Sequence, residues 1–149
     1  MRIGIGSDHR GFRLKNFLIS QLKNKGMEVV DFGTYSSNPC DYPDFIYPLA
    51  SALRDKRLDR AIFICFTGIG SCICANKVKG IRAGLAYNLS VAKLSRLHNN
   101  TNFLILGAGF LKNEYAKRIV FTWLNTEFEG GRHLRRLRKI RKIEEEENV

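Results

Sequence analysis

The sequence predicts an α/β fold in which a parallel sheet is covered by helices on both faces. Short apolar runs rich in β-branched residues alternate from end to end with longer segments that have helical periodicity. Glycines and polar turn residues separate the two kinds of segment. This alternation favours a parallel arrangement, because parallel strands need a crossover between them. We expect the functional residues beyond the carboxyl ends of the strands, where ligands of such sheets bind.

Five runs meet the criteria for strands, because each is short, rich in β-branched or aromatic residues, and bounded by turn-forming residues. The predicted strands are Arg2–Ser7, Glu28–Phe32, Ala61–Phe66, Arg82–Tyr87 and Asn102–Gly107. The third is wholly apolar and leads directly into a glycine turn, which predicts that it is buried.

Helices are predicted between the strands, where apolar residues recur at helical spacing or a terminating residue marks an end. In the first helix, Leu14, Leu18 and Leu22 share one face, and Gly26 follows the last turn. The predicted helices are Arg10–Lys25, Pro43–Arg57, Cys72–Val78, Ser90–His98, Asn113–Asn125 and a basic helix after Gly130-Gly131. The segment 33–41 is rich in Ser, Asn and Pro and predicts a loop.

Length and composition are those of an ordinary globular chain. Its 149 residues, 44% of them hydrophobic and 26% charged, fit a single domain over residues 1–149. No apolar stretch approaches the roughly 18 residues that span a bilayer, and the first residues lack the pattern of a signal peptide. We therefore expect a cytoplasmic protein with no membrane partner, whose four cysteines are reduced thiols.

The formal charge of +11 is large, and much of it lies in the C-terminal region from about residue 130 to 149. Seven Lys/Arg lie within residues 132–142, where Leu or Ile recurs every third residue, and an acidic run follows. The pattern is that of a solvated helix with one docked apolar edge, which could also pack on a second subunit. Nucleic-acid binding is the alternative, but the chain lacks an interleaved aromatic and basic motif, so we expect no such partner.

Cys65, at the end of the third predicted strand, is the most informative residue. The turn that follows, Thr67-Gly68-Ile69-Gly70, leads into small residues that predict the start of a helix. A thiol at this junction lies near unpaired backbone N–H groups, which favour the thiolate, the form that acts as a base or nucleophile. The same amides could hold a phosphate, a carboxylate or a developing oxyanion.

Asp8-His9 follows the first strand, where the pair either binds a ligand or caps the next helix. The surrounding glycines do not fit a dinucleotide loop, because the third glycine comes two residues late, and we expect no nucleotide cofactor. Cys72 and Cys74 point to different sides of a helix, and no second Cys or His pair completes a zinc site, so we expect no metal.

Two more polar groups are candidates, each with a structural alternative. His98 lies in the polar run His98-Asn99-Asn100-Thr101-Asn102, where it is either an acid/base, since imidazole titrates near neutral pH, or a structural residue. Arg132 and Arg136 lie four apart and share one helical face. Their two guanidinium groups suit a phosphate, or both merely face solvent.

Together these segments resemble the ribose-5-phosphate isomerase type B family, which also contains the galactose-6-phosphate isomerase subunits. The resemblance covers residues 2 to about 143, and its motifs occur in the family's order, which makes it specific. The motifs are Gly6-x-Asp8-His9-x-Gly11, Asp41-Tyr42-Pro43, Cys65-x-Thr67-Gly68-x-Gly70, Ala75-Asn76-Lys77, Gly80-Ile81-Arg82-Ala83, Ser95-Arg96-x-His98-Asn99-x-Thr101-Asn102 and Glu129-Gly130-Gly131-Arg132-His133.

The resemblance implies a Rossmann-like three-layer α/β/α sandwich with a five-stranded parallel sheet. It implies a homodimer, with a tetramer as the alternative, whose C-terminal helix extends to the partner subunit and whose active sites combine residues of both chains. It also implies an isomerase of the pentose phosphate pathway that interconverts ribose 5-phosphate and ribulose 5-phosphate through an enediolate, without metal or cofactor. Allose or galactose 6-phosphate is the alternative substrate.

By the same resemblance, Cys65 is the base that moves a proton between C1 and C2, Thr67 assists it, and His98 opens the furanose ring. Some relatives use a glutamate at the position of Ser71, so this chain is of the cysteine type. The implied substrate-binding residues are Asp8, Tyr42 and Asn99 for the sugar hydroxyls, His9, Arg132 and Arg136 for the phosphate, and the amides of Phe66, Gly68, Ile69 and Gly70 for the enediolate oxygen.

Two residues depart from the family pattern. Phe66 stands where relatives usually carry a small residue, and we expect its ring to narrow the pocket. Gly109 stands where many relatives have a phosphate-binding arginine. The loss of one charge-assisted hydrogen bond is worth about 1.5–3 kcal/mol, which Lys112 or the arginines of the tail would have to offset.

Overall fold

The computed structural model describes residues 1–147, and the last two residues of the predicted C-terminal region lie outside the described residues. The strands are β1 (Arg2–Ser7), β2 (Glu28–Asp31), β3 (Arg60–Cys65), β4 (Ala83–Leu85) and β5 (Phe103–Gly107). The helices are α1 (Phe12–Asn24), α2 (Tyr42–Arg54), α3 (Ile69–Ala75), α4 (Leu89–Asn99), α5 (Asn113–Leu124) and α6 (Gly131–Glu146). Every predicted element is present, but α3 begins three residues early, inside the predicted glycine turn.

The five strands form one parallel sheet in the order β2-β1-β3-β5-β4, which confirms the predicted fold class. Strand β3 lies at the centre, with Cys65 opposite Gly107 of β5, and Ile64 opposite Ser7 of β1. The carboxyl ends of these three strands therefore meet at one edge of the sheet, as expected for a parallel arrangement.

Alternate residues of β3 point to opposite faces of the sheet, as the two-residue period of a strand requires. Ile62 and Ile64 belong to the apolar cluster formed with α1 and α5. Phe63 and Cys65 belong to the cluster formed with α2 and α3. This division produces the three layers and places the Cys65 side chain on the face covered by α2 and α3. Within residues 1–147, no helix combines the length and apolar character needed to cross a membrane.

Lys15 is a fully buried cation in α1 that holds the chain after β2 in place. Its Nζ donates to both carboxylate oxygens of Asp31, at 2.6 and 2.8 Å, and to the carbonyl oxygen of Thr34 at 2.7 Å. Asp31→Asn should lower the free energy of unfolding by about 3 kcal/mol, because it leaves the buried ammonium without a counter-charge. Lys15→Met is the matched variant and should cost less, since Asp31 is one-third exposed and can be solvated.

Urea unfolding of both variants, followed by circular dichroism, measures this difference. If Asp31→Asn were no more destabilising than Lys15→Met, the buried ammonium would not depend on its carboxylate.

Candidate active site

The turn after β3 places a backbone amide against the Cys65 sulfur. Cys65 is 5% exposed, and its Sγ accepts a hydrogen bond from the Gly68 N–H at 3.1 Å. Gly68 has φ +86°, a conformation that residues with a side chain rarely adopt, and the site of its missing Cβ is filled by Leu85. Thr67 Oγ1 accepts from the Ile69 N–H at 3.2 Å, which leaves the hydroxyl proton of Thr67 free to donate elsewhere.

Tyr42, at the start of α2, is brought to the same turn. A Cβ added at Gly70 would lie 2.6 Å from the Tyr42 hydroxyl oxygen, so a side chain at residue 70 would displace the Tyr42 ring. A small cavity of about 200 Å³ lies beside the turn and is lined by Thr67 and Ile69, but Cys65 does not line it. The sulfur therefore contacts the Gly68 amide directly, and within a single chain it exposes little surface to solvent.

Asp8 orders the turn that leads into helix α1, but its side chain makes no capping hydrogen bond to the helix itself. One carboxylate oxygen, Oδ1, accepts from the backbone N–H groups of Arg10 at 2.8 Å and Gly11 at 3.0 Å. His9 is half-buried, and its Nδ1 accepts from the Cys40 N–H at 3.2 Å. A neutral His9 ring held in this way carries its proton on Nε2, which makes that nitrogen a donor. Ligand contacts by Asp8 and His9 stay predictions.

Phe66 and Gly109, the two departures from the family pattern, form a single structural feature. A Cβ at residue 109 would come within 2.5 Å of Phe66 Cε2, so the Phe66 ring occupies the space that a side chain at 109 would enter. The Arg10 guanidinium carbon lies 4.4 Å from the centroid of the same ring. Arg10 therefore places a cation beside the ring, next to His9 in the chain. Arg10 was not predicted from the sequence to be a site residue, although its position directly after Asp8-His9 could have indicated one.

A second group of predicted residues gathers where α4 ends and α6 begins. The imidazole rings of His98 and His133 stack with centroids 4.2 Å apart and an interplanar angle of 12°. Glu129 Oε2 lies 4.0 Å from Nε2 of each ring. His133 is 4% exposed, whereas Arg132 is exposed at the start of α6. His133 was part of a motif shared with the family, but no role was predicted for it from the sequence.

His98, Glu129 and His133 are also the one group of metal-binding side chains found among residues 1–147, with ligand atoms within 4.8 Å of one another. The nitrogen lone pairs of an imidazole lie in the plane of its ring. Because the two rings are stacked and nearly parallel, their lone pairs do not converge on one point, and a shared metal ion would require a ring to rotate. The arrangement instead suits two rings that fix each other's orientation.

The two groups lie at opposite ends of the sheet. Cys65 ends β3, whereas His98 and Asn99 end α4, from which the chain enters the amino end of β5 at Phe103. Residue 103 is separated from the level of Cys65 by the length of β5, about 13 Å at 3.3 Å per residue. The exposed Arg132 and Arg136 lie on α6, on the side of His98. One chain thus brings together Asp8, His9, Tyr42 and the turn, but it does not bring His98 to Cys65.

The stacked histidines give the stability a defined pH dependence. Burial, followed by the charges of His98 and Arg132, lowers the pKa of His133 below its ordinary value of 6.5. The unfolded chain therefore binds this proton more tightly than the folded chain, and stability should fall as the pH drops below about 6.5. A His133→Gln variant lacks this group and should lose less stability between pH 7.5 and pH 5, in urea unfolding at each pH. Parallel pH profiles would show that His133 does not titrate in this way.

Comparison with known proteins places the chain among sugar isomerases. The family model described as Ribose/Galactose Isomerase matches residues 3–140. Ribose-5-phosphate isomerase B of Escherichia coli is 44% identical over 147 residues, which cover 99% of each chain. D-erythrulose-4-phosphate isomerase of Pectobacterium atrosepticum is 41% identical and covers 99% of this chain and 97% of the relative.

Two solved structures have nearly the same fold. Ribose-5-phosphate isomerase B of Clostridium thermocellum is 49% identical, has a TM-score of 0.97, and covers 98% of this chain and 99% of its own. The enzyme of Mycoplasma genitalium with bound ribulose-5-phosphate is 42% identical, has a TM-score of 0.92, and covers 97% of each chain. With the family model matching most of its length, the chain belongs to the ribose/galactose isomerase family.

Proposed function

We propose that the protein is an aldose–ketose isomerase that interconverts ribose 5-phosphate and ribulose 5-phosphate, a step of the pentose phosphate pathway. The observation that carries this proposal is the Cys65 sulfur, held by the Gly68 amide at the carboxyl end of the central strand. It is supported by the full-length likeness to the Escherichia coli ribose-5-phosphate isomerase B and to a structure with bound ribulose-5-phosphate.

The turn supplies what proton transfer beside a carbonyl group requires. Such a C–H is a weak acid, so its removal needs a positioned base and a stabilised oxyanion. The Cys65 thiolate takes the proton from C2 of the open-chain aldose and returns it to C1, while the proton of the C2 hydroxyl passes to the oxygen on C1. The Gly68 amide that donates to Sγ stabilises the thiolate, and the free hydroxyl proton of Thr67 can donate to the substrate beside it. Because the amides of Gly68 and Ile69 already donate to Cys65 and Thr67, the Gly70 amide is the one that faces the enediolate oxygen.

The ring-opening step needs a second copy of the chain. His98 protonates the ring oxygen of the furanose, but in one chain it lies at the opposite end of the sheet from Cys65. A homodimer brings His98 and Asn99 of one copy to the Cys65 of the other. The solvent-exposed apolar side chains on α3, α4 and α6 support such an interface, because burying apolar surface against a second copy is favourable. They are Ile69, Ile73, Leu94, Leu134, Ile140 and Ile143.

The phosphate is bound by cations from both copies. His9 contributes the N–H of Nε2, and Arg10 adds a guanidinium beside it, at the place where Gly109 supplies no charge. Arg132 and Arg136 of the second copy complete the set. Guanidinium groups bind phosphate oxygens through paired hydrogen bonds, and this binding energy holds the sugar in line for proton transfer.

A kinetic comparison of substrates tests the proposed function. Ribose 5-phosphate, allose 6-phosphate, galactose 6-phosphate and D-erythrulose 4-phosphate are each incubated with the full chain, and their isomers are quantified. We expect the highest kcat/KM for ribose 5-phosphate. Absence of turnover of the five-carbon pair would overturn the proposal.

A four-carbon sugar phosphate is the second candidate. The Pectobacterium relative named D-erythrulose-4-phosphate isomerase is 41% identical over 149 residues. In this chain, the Phe66 ring is 42% exposed and lies at the turn, where it shortens the space for a sugar. A preference for D-erythrulose 4-phosphate in the comparison above would select this candidate.

A further inference from the structure

A cavity of about 590 Å³ lies at the amino-terminal edge of the sheet, at the other end of the strands from Cys65. Three arginines form part of its wall: Arg60 begins β3, Arg82 precedes β4, and Arg96 lies in α4. None of the three has a role in the proposed reaction.

The cavity carries an excess of positive charge. Lys56 adds a fourth cation, whereas the carboxylates among its lining residues are Asp59 and Glu127. In the described part of the chain, neither carboxylate forms a salt bridge with an arginine of the cavity. Asp59 instead accepts from the backbone N–H of Arg2 at 2.6 Å. The wall therefore has a net charge of two positive units that its own carboxylates do not pair.

Two guanidinium nitrogens in this wall have no acceptor among residues 1–147. Arg96 is 2% exposed, and its Nε and Nη1 are held by oxygens of Thr126, Asn100 and Thr101. The hydrogen bonds among residues 1–147 do not use its Nη2. Nε of Arg60 is buried and has no hydrogen-bond partner among the same residues. A buried donor without an acceptor is costly, so an oxygen-rich ligand at this place would be stabilising.

The arginines also repel one another. Burial, followed by the positive charge of Arg60, lowers the pKa of Arg96 to about 10, and the same two causes lower the pKa of Arg82. An anion between the three guanidinium groups would relieve this repulsion.

We propose that this cavity is a second anion site that binds a phosphate monoester dianion. Guanidinium groups match the geometry of phosphate oxygens, and a dianion balances the two excess charges. The cavity is larger than a bare ion needs, which leaves room for the organic part of a small phosphorylated metabolite. Asn100 and Thr101 connect Arg96 to the end of α4, so a bound anion also steadies the segment that follows His98. The site goes beyond the proposed function, because it uses none of the proposed catalytic residues.

The test uses inorganic phosphate as the probe and the full chain as the protein. In an Arg132→Gln/Arg136→Gln background, which removes two of the four groups proposed to bind phosphate at the active site, phosphate binding is measured by calorimetry at constant ionic strength. We expect saturable binding that Arg60→Gln weakens about 10-fold or more, the loss expected for one charge-assisted hydrogen bond. Arg13→Gln is the matched control on the exposed face of α1 and should leave the affinity unchanged.

A second variant tests the site without a substitution at Arg60, so it is informative even if Arg60→Gln does not fold. Glu127→Gln removes a negative charge from the wall and should tighten phosphate binding several-fold. Absence of saturable binding in the double-variant background, or equal affinities in Arg60→Gln and Arg13→Gln, would overturn the site. Isomerase turnover of Arg60→Gln without added phosphate should equal that of the wild type. If the proposed isomerase function is wrong, the wild-type protein will show no turnover, whereas the phosphate-binding measurement will be unaffected. The two proposals can therefore fail independently.

Discussion

Replacing Cys65 with alanine should lower kcat for ribose 5-phosphate by about 10²–10⁴-fold, the contribution of a positioned general base. KM should change little, because the proposed phosphate and hydroxyl contacts remain. The variant also loses the sulfur that accepts from the buried Gly68 N–H, so we expect some loss of stability beside the loss of rate. Initial rates of isomerisation in both directions measure the effect.

The matched control is Cys74→Ala, which removes a half-buried thiol on α3 that lies outside the proposed mechanism. It should retain wild-type turnover. Urea unfolding of both variants separates a loss of activity from a loss of folded protein. A folded Cys65→Ala protein with a rate within a few-fold of the wild type would show that another group removes the proton.

Mixing two inactive variants should restore activity if each site draws on two chains. Cys65→Ala lacks the base, and His98→Asn lacks the ring-opening acid. When the two are unfolded together and refolded, half of the dimers are hybrids, and one of the two sites in each hybrid has both residues intact. The expected activity is about a quarter of that of the wild type, from the statistics of random pairing in a symmetric dimer.

The control mixes Cys65→Ala with Cys65→Ser, a pair that cannot form an intact site. A lack of recovery in the first mixture, with dimers present by sedimentation, would place the whole site within one chain. Open-chain substrates offer a second check, because His98→Asn should impair turnover of the ring-closed sugar far more than that of an open-chain sugar.

The elements most easily predicted were those whose signals are local. The apolar run before Cys65 and the leucines of α1 have the periods of a strand and a helix, and the structure confirms both. The start of α3 was predicted at Cys72 and lies at Ile69, because Gly68 in a left-handed conformation already ends the turn. Glycine conformation depends on the whole turn, and residue type alone does not determine where the helix begins.

The site was less predictable, because its parts depend on contacts between distant segments. The choice for Asp8 between a cap and a ligand could not be made from its neighbours, and in the structure its carboxylate orders the turn before α1 without capping the helix. His133 was present in a motif, but its stacking on His98 requires α6 to pack beside α4. The reason for a glycine at position 109 likewise could not be predicted, because the Phe66 ring that fills the space beside it comes from more than forty positions earlier in the chain.

The amino-acid order by itself determined the alternation of strands and helices and the thiol at the start of a glycine turn, because both follow from backbone preferences over a few neighbouring residues. Only the tertiary structure decided that Arg10 lies over Phe66 and that His98 lies at the far edge of the sheet from Cys65. The physical reason is that burial and crossover direction, which place distant residues together or apart, are properties of the packed chain as a whole.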